Sequence, residues 1–226
     1  MTIISGYVDG MLDGTVPKNK RMQYLSIVSQ EMQRLKILIS SMLNLTKFDN
    51  GTIEIHYQLF PIQDLAFRTI LMFESRLEKR NITLEGLDSE PVQVWGDPDL
   101  IGQVIYNLFE NATKFVNTGG TITFTFKDEP NNTSIAIRNT GAGISKEELP
   151  KIFERFYKSD DSRSHDKTGL GIGLDITKHI VRLHKAQISV SSEEGEYTEF
   201  LIRLPKKDAP AESPTENPEK QPKDAR

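Results

Sequence analysis

Three short segments in the second half of the chain carry residues suited to binding a charged nucleotide. The first, NLFENATKF at 107–115, is predicted to be helical, and a helix places Asn107, Asn111 and Lys114 on one face. Two amide oxygens and an ammonium group on one face suit a hard divalent cation together with phosphate oxygens. A plain polar helix face is the alternative, although two asparagines in mid-helix are poor helix formers.

The other two segments are rich in glycine and follow in the order that a nucleotide site needs. NTGAGI at 139–144 comes after a predicted strand, and Gly141 and Gly143 permit positive φ and close approach of a base. TGLGIGL at 168–174 precedes a predicted helix, whose free N–H groups and dipole favour phosphate. Together the three segments predict a nucleotide site.

Composition excludes several other functions. The 226 residues suffice for one or two domains, and the net charge of −4 argues against nonspecific nucleic-acid binding. The absence of cysteine excludes disulfides, thiolate zinc sites and a cysteine nucleophile. No apolar run reaches the roughly 18–20 residues of a membrane span. We therefore expect a soluble, cytoplasmic chain, and any membrane anchor of its parent protein would lie upstream.

The N-terminal region is predicted to form a helical hairpin. Helices are expected at 3–12 and 19–48, separated by Asp13-Gly14. The second helix has an apolar seam with heptad spacing: Leu25, Val28, Met32, Leu35, Ile39 and Met42. Pairing with a second copy into a four-helix bundle would bury this seam, and packing on the rest of its own chain is the alternative.

The remaining pattern predicts an α+β domain. Strands are expected at 53–57, 82–84, 92–95, 122–126, 135–137, 188–190 and 200–204, and helices at 61–80, 98–115, 146–153 and 171–184. Asp97-Pro98 resembles a helix start, with Asp97 as the cap and Pro98 in the first turn. This order predicts an α/β sandwich, with a mixed sheet and helices on one face. The predicted domains are residues 1–50, 51–205 and a disordered tail at 206–226, where proline recurs among charged residues.

These motifs resemble the Bergerat-type ATP-binding domain of sensor histidine kinases. N-x-x-x-N-A-x-K-F matches that family's asparagine box, NTGAGI and TGLGIGL match its two glycine boxes, and Phe153–Tyr157 matches its phenylalanine box. The resemblance implies ATP and Mg²⁺ as ligands, with Asn111 binding the metal. The residues it assigns to ATP are Asn107, Asn111, Lys114, Phe115, Asn139, Gly141, Gly143, Ile144, Phe156, Tyr157, Lys158, Arg163, Thr168, Gly169, Leu170, Gly171, Gly173 and Leu174.

The resemblance also bears on catalysis, for which Asn107, Glu110 and Lys114 are the candidates. Related ATPases have a glutamate at the position of Asn107, and an amide cannot deprotonate water, so kinase chemistry is favoured over hydrolysis. Glu110 is the weaker candidate. Most relatives have aspartate at the position of Asn139, where the amide retains an acceptor for adenine but loses the charge.

The polar run from Lys158 to Lys167 resembles the family's lid over the nucleotide. Lys158, Arg163 and Lys167 are suited to contact the triphosphate, although any surface loop carries such charges. At the end of the last helix, His184-Lys185-Ala186 replaces the family's usual His-Gly-Gly. If that helix needs a left-handed residue there, the loss of glycine costs about 1 kcal/mol of stability.

The family's phosphate-accepting histidine lies in an H-E-x-x-x-P motif that this sequence does not contain. Each of the four histidines, His56, His165, His179 and His184, is interpreted as a surface or capping residue, and their spacing does not fit a metal site.

The resemblance implies the catalytic portion of a two-component kinase, which forms a homodimer and passes phosphate to a response regulator receiver domain. A dimeric nucleotide-binding scaffold without catalysis is the alternative. A serine kinase of the anti-sigma type shares the ATP fold but lacks the heptad hairpin.

Overall fold

A computed structural model describes residues 2–25, 27–29, 32, 54–158 and 171–207 of the 226-residue chain. Its internal contacts divide the chain into two compact units, Met1–Glu54 and Ile55–Arg226.

The first unit begins with helix α1, Thr2–Leu12, which ends at Asp13-Gly14 as predicted. After the turn comes a short 3₁₀ helix, Lys18–Lys20, and residues 21–25, 27–29 and 32 are helical. An edge-to-face contact of Tyr7 with Tyr24, at 4.9 Å between ring centroids, joins α1 to this second helical stretch. The predicted second helix beyond position 32 lies outside the described residues.

In its described residues, 55–158 and 171–207, the second unit contains seven strands and three helices. The strands are β1 (Gln58–Pro61), β2 (Thr83–Glu85), β3 (Gln93–Gly96), β4 (Thr121–Asp128), β5 (Asn132–Thr140), β6 (Gln187–Glu193) and β7 (Tyr197–Pro205). The helices are α2 (Ile62–Lys79), α3 (Pro98–Phe115) and α4 (Gly173–Leu183).

The strands form a mixed sheet and a separate two-stranded ribbon. The main sheet has the order β2-β4-β5-β7-β6, in which β2 pairs with β4 in parallel and the other neighbours are antiparallel. The ribbon pairs β1 with β3 antiparallel. The predicted mixed sheet is therefore confirmed.

The core lies between one face of the main sheet and the helices. The strand register places Phe124, Ile137 and Phe200 side by side, and all three side chains are buried. The aromatic ring of Phe109 on α3 lies 5.5 Å from that of Phe124 and 5.4 Å from that of Phe73 on α2. Helix α3 thus lies at the centre, in contact with α2, α4 and β5.

Three predicted elements differ from the structure, each for a local reason. The strand predicted at 53–57 begins only at Gln58, because its partner strand ends at Gly96 and the backbone N–H of His56 instead donates to the Asp97 carboxylate at 2.9 Å. Residues 146–153 form successive turns rather than a helix, since Pro150 lacks the N–H that a helix needs. Helix α4 begins at Gly173 rather than Gly171, whose φ of +68° is not helical.

The described helices include none with the length and apolarity that a membrane span requires. Of the predicted tail, only Lys206 and Lys207 are described, and Lys206 forms a 2.8 Å ion pair with Asp128.

Candidate functional site

The N-terminus of α3 is fixed by Asp97 as the sequence predicts. Its carboxylate accepts hydrogen bonds from the backbone N–H groups of Asp99 and Leu100 at 3.0 and 3.1 Å, and Pro98 occupies the first helical turn. The Asp97 backbone N–H donates to Nε2 of the buried His184 at 3.1 Å. These bonds set where the asparagine-box helix begins.

The C-terminus of α3 is capped by Arg80, the residue that follows α2, and the sequence does not indicate this contact. The Arg80 guanidinium donates to the carbonyl oxygens of Thr113 at 2.6 Å and Lys114 at 3.4 Å, and also to that of Val116. A helix leaves its last carbonyls without partners, and a cation there also complements the dipole. Arg80 therefore fixes the end of the helix that carries Asn111 and Lys114.

Asn107 connects α3 to the start of α4. Its Nδ2 donates to the carbonyl oxygen of Gly173 at 3.0 Å and to Oγ1 of Thr177 at 3.3 Å. A Cβ on Gly173 would lie 3.7 Å from Cγ of Asn107, so the two segments are in van der Waals contact. The asparagine box and the second glycine box are thus brought together directly.

The other candidates on α3 lie within two turns of Asn107. Glu110 and Lys114 form an i,i+4 ion pair with a 3.2 Å distance between Oε1 and Nζ. Asn111 is half-buried, and its side-chain amide forms no hydrogen bond with any group in the described part of the chain. Phe115, the last helical residue, is 37% exposed.

The first glycine box meets the C-terminal end of α3 at Gly141, two residues after Asn139. Asn139 is 4% exposed, and its Nδ2 donates to the Thr140 carbonyl at 3.1 Å, which orients Oδ1 as the available acceptor. A Cβ on Gly141 would lie 2.2 Å from the Phe115 carbonyl oxygen. Glycine at 141 therefore permits close approach of protein backbone, which brings the first glycine box against the asparagine box.

The rest of the first glycine box contacts the C-terminal end of β6. Gly143 has φ +71°, and a Cβ there would lie 2.2 Å from the Glu193 carbonyl oxygen. The backbone N–H of Ile144 donates to Oγ of Ser192 at 2.8 Å. The positive φ expected from this glycine is found.

The phenylalanine box meets the second glycine box at Gly171. The Phe156 N–H donates to the Gly171 carbonyl at 2.9 Å, and the Tyr157 hydroxyl donates to Glu148 at 3.3 Å. Phe156 is 61% exposed, while Lys158 and Leu174 are half-buried. The predicted site residues Arg163, Thr168, Gly169 and Leu170 lie outside the described residues, as does Lys167.

The described histidines have structural contacts. His184 ends α4 but is 2% exposed, so it is a core residue rather than a surface one. Its Nδ1 lies 2.8 Å from the Ile180 carbonyl, and burial lowers its pKa. His179 Nδ1 lies 3.3 Å from the Asp175 carboxylate, and the His56 side chain is exposed. The fourth, His165, lies outside the described residues. Among the described residues, no cluster could hold a metal through histidine and carboxylate ligands.

Comparison with known proteins identifies the family of this arrangement. Residues 96–208, half of the chain, match the family described as histidine kinase-, DNA gyrase B- and HSP90-like ATPase. The chain belongs to this family. Its recognition from the asparagine, glycine and phenylalanine boxes as the catalytic domain of a sensor histidine kinase is confirmed.

Curated relatives in this ATPase family are longer than the chain. The sensor protein SrrB of Staphylococcus aureus is 31% identical over 208 residues, which cover 91% of this chain and 36% of SrrB. The chain therefore spans about a third of the length of such relatives.

Solved histidine kinases share the fold. The histidine kinase AdeS of Acinetobacter baumannii is 22% identical, with a TM-score of 0.73 over 92% of this chain and 95% of that chain. The nucleotide-free catalytic domain of ThkA is 27% identical, with a TM-score of 0.56 over 66% of this chain and 97% of that chain. A crystal structure of ThkA in complex with the response regulator protein TrrA was also matched. That ThkA chain is 24% identical to this chain, with a TM-score of 0.66 over 90% of this chain and 57% of that chain.

Membership of this ATPase family makes ATP the expected ligand, and the donors present suit ATP with Mg²⁺. The Asn111 amide is half-buried and has no hydrogen-bond partner among the described residues, so its oxygen is available to a hard cation. Lys114 lies one turn away and supplies positive charge.

Two residues of this family member were not predicted from its sequence. Arg80 caps α3 from 33 or more positions away, and no local pattern signals such a contact. Asp175 is buried in the first turn of α4 and accepts from Nε of Arg155 at 2.9 Å. The helix dipole alone explains an acidic residue in a first helical turn, so nothing in the sequence indicates an arginine partner for Asp175.

Proposed function

We propose that this chain is the ATP-binding catalytic portion of a two-component sensor histidine kinase. In this proposal, the γ-phosphoryl group of ATP passes to a histidine upstream of this chain and from there to an aspartate of a response regulator. The fold, the family and the names of the relatives support this proposal.

The single observation that carries kinase chemistry is the engagement of Asn107. Its amide nitrogen donates to Gly173 and Thr177, so this side chain acts as a structural link. An amide has no basic site to remove a proton from water, which leaves the position without a general base. This supports transfer to a side-chain acceptor over hydrolysis.

The chain's residues would divide the binding of ATP among them. Asn111 would bind Mg²⁺, which neutralises phosphate charge when bound, and Lys114 would exchange its bond to Glu110 for the triphosphate. Asn139 would accept a hydrogen bond from the adenine amino group through Oδ1. Glu110 would hold the Lys114 ammonium in place until the nucleotide binds.

The proposal includes a homodimer through the helical hairpin and a response regulator as partner. ThkA forms a complex with a response regulator, and it shares the fold of this chain. We also propose that the chain works on the cytoplasmic side of a membrane-anchored sensor, where ATP is available.

Nucleotide binding tests the site. Calorimetry should show Mg²⁺-dependent binding of a non-hydrolysable ATP analogue, and Asn111→Ala should abolish the Mg²⁺ dependence by removing the amide oxygen. Alanine favours the helix, so a loss of binding would not come from unfolding. Asn117→Ala, two residues beyond the same helix, is the control and should bind as wild type does. Unchanged Mg²⁺ dependence in Asn111→Ala contradicts the assignment.

Labelling with γ-labelled ATP distinguishes the proposed kinase function from the alternative, a nucleotide-binding scaffold without catalysis. Alone, the chain should bind ATP without self-labelling or rapid hydrolysis, because none of its histidines lies in the acceptor motif. With the helical segment that bears the upstream histidine added, acid-labile and alkali-stable label should appear on that segment. Binding of ATP without labelling of the segment would favour the alternative, a dimeric nucleotide-binding scaffold. Stoichiometric label on His56, His165, His179 or His184 would contradict an upstream acceptor.

A further inference from the structure

Two contacts join the phenylalanine box to the segment that begins α4. The backbone N–H of Phe156 donates to the Gly171 carbonyl at 2.9 Å. Next to it, Nε of Arg155 donates to Oδ2 of Asp175 at 2.9 Å. One contact is between backbones and the other between charged side chains, so this junction is fixed at two points.

The backbone at this junction is held in an unfavourable conformation. Phe156 has φ +65°, a left-handed conformation that residues with a Cβ rarely adopt. Gly171 has φ +68°, and a Cβ there would lie 2.7 Å from the Tyr157 carbonyl oxygen and 2.8 Å from the Phe156 carbonyl carbon. Such strain persists only where surrounding contacts hold it, and it often marks a functional position.

The charges at the junction explain what holds it. The Asp175 side chain is 9% exposed, and a buried carboxylate is costly unless it is paired. Its partners are Arg155 and, at 3.3 Å from Oδ1, Nδ1 of His179. It also lies in the first turn of α4, where the helix dipole favours a negative charge. Asp175 is therefore a firm anchor point for Arg155.

We propose that Arg155 and Asp175 are positioning residues of the nucleotide site: their ion pair holds Tyr157 and Lys158 against the N-terminal turn of α4. The inference rests on the proposed function and on the family resemblance, in which Lys158 and the glycine box at the start of α4 are suited to contact the phosphates of ATP. Neither residue needs to touch the nucleotide. Their ion pair sets the spacing between Lys158 and the first turn of α4. Loss of the pair should therefore weaken the binding of the phosphates of ATP and leave the binding of adenine unchanged.

The test compares an ATP analogue with adenosine. Binding of the non-hydrolysable ATP analogue with Mg²⁺ is measured by calorimetry, and binding of adenosine by NMR titration. Arg155→Gln and Asp175→Asn should each weaken binding of the ATP analogue about tenfold, a loss typical of one charged hydrogen bond. Adenosine affinity should change less than about twofold, because Asn139 and its surroundings lie outside the ion pair. The double variant should bind no more weakly than the weaker single variant.

A more exposed ion pair, at the opposite end of β4 from the strand residue that pairs with Asn139, provides the control. Lys206 and Asp128 form a 2.8 Å pair at the end of β4, and Lys206→Met and Asp128→Asn should bind both ligands as wild type does. Arg155 is 39% exposed, so Arg155→Gln carries the test if Asp175→Asn does not fold.

Three results would overturn the inference: unchanged binding of the ATP analogue, an equal loss for the analogue and adenosine, or additive losses in the double variant. An equal loss would mean that the pair stabilises the fold and nothing more. A wild-type chain that binds no ATP analogue would overturn the proposed function together with the inference. Wild-type binding with unaffected variants would overturn the inference alone.

Discussion

Three asparagines of the nucleotide domain differ in how their amides are engaged. Asn107 uses Nδ2 to connect α3 to α4, and Asn139 uses Nδ2 on the neighbouring carbonyl of Thr140. The amide of Asn111 has no partner among the described residues. The family resemblance assigns all three side chains to the nucleotide site, and the structure shows that the Asn107 amide also links two helices.

His184 is a neutral core residue whose two ring nitrogens are both engaged. Nδ1 faces the Ile180 carbonyl as a donor, so Nε2 must be the acceptor for the Asp97 N–H. Protonation of Nε2 would place its N–H against the Asp97 N–H, so that two donors face each other. It would also place a positive charge in the core. Burial is the largest cause of its lowered pKa; the hydrogen bond to Ile180 and the nearby Asp97 charge oppose it.

Stability should therefore fall in mild acid. The unfolded chain binds the His184 proton with the usual pKa of 6.5, and the folded protein binds it only at lower pH. The free energy of unfolding should decrease as pH falls below 6.5, by at most about 1.4 kcal/mol per pH unit from this group. Urea unfolding at several pH values between 7.5 and 5.5 would measure this decrease in the free energy of unfolding. His184→Asn should flatten the slope and His56→Gln, with an exposed side chain, should not. Equal slopes in wild type and His184→Asn would refute this.

Among the elements, α4 ends with a hydrogen-bond pattern that usually contains glycine. The Ala186 N–H donates to the Val181 carbonyl at 3.0 Å and the Lys185 N–H to the Arg182 carbonyl at 3.0 Å, which together form a Schellman motif. Lys185 occupies the left-handed position with φ +53°. The cost expected from losing the family's glycine is therefore present in the backbone.

Lys185→Gly should stabilise the protein. Glycine adopts the left-handed conformation without the steric cost of a Cβ, so the free energy of unfolding should rise by up to about 1 kcal/mol. Chemical unfolding measures the change. Lys185→Ala also removes the lysine side chain but keeps Cβ, so it should bring no such gain. A glycine variant no more stable than the alanine variant would show that Lys185 is not strained.

At the same scale, the sequence predicted elements best where the signal was local. Asp97-Pro98 marked the start of α3 because a cap and a first-turn proline act within a few residues. The strand predicted at Ile55 and Tyr57 was wrong because pairing depends on where a distant partner ends, at Gly96. The Arg80 cap was missed for the same reason: its targets are far along the chain.

For the whole molecule, composition and alternation predicted a mixed sheet but not its order. The placement of β2 in parallel beside β4 follows from tertiary packing, which no single-strand pattern encodes. Residue types and order predicted that the three motifs form one nucleotide site, and the match to a known family supported this. In the fold they meet through backbone contacts such as Gly141 against Phe115, which residue types alone do not specify.

The helical hairpin leads to the last prediction, which is that the chain forms a homodimer. Leu25 and Met32, two described positions of the heptad seam, are 48% and 52% exposed in the single chain, and a second copy would cover them. Light scattering should therefore give about twice the chain mass of 25.6 kDa, since a parallel or antiparallel pair of hairpins closes one four-helix bundle. A weak bundle would make the measured mass depend on concentration.

Leu35→Glu is the decisive variant, because it places an unpaired charge in the predicted seam and should shift the mass to that of a monomer. Gln33→Glu adds the same side chain two positions away, outside the seam, and should leave the dimer intact. Leu35 and Gln33 lie outside the described residues, so the pair tests the heptad register itself. A wild-type chain that stays monomeric at high concentration would contradict the dimer and favour a seam packed on its own chain. Equal dissociation by both variants would place the interface elsewhere.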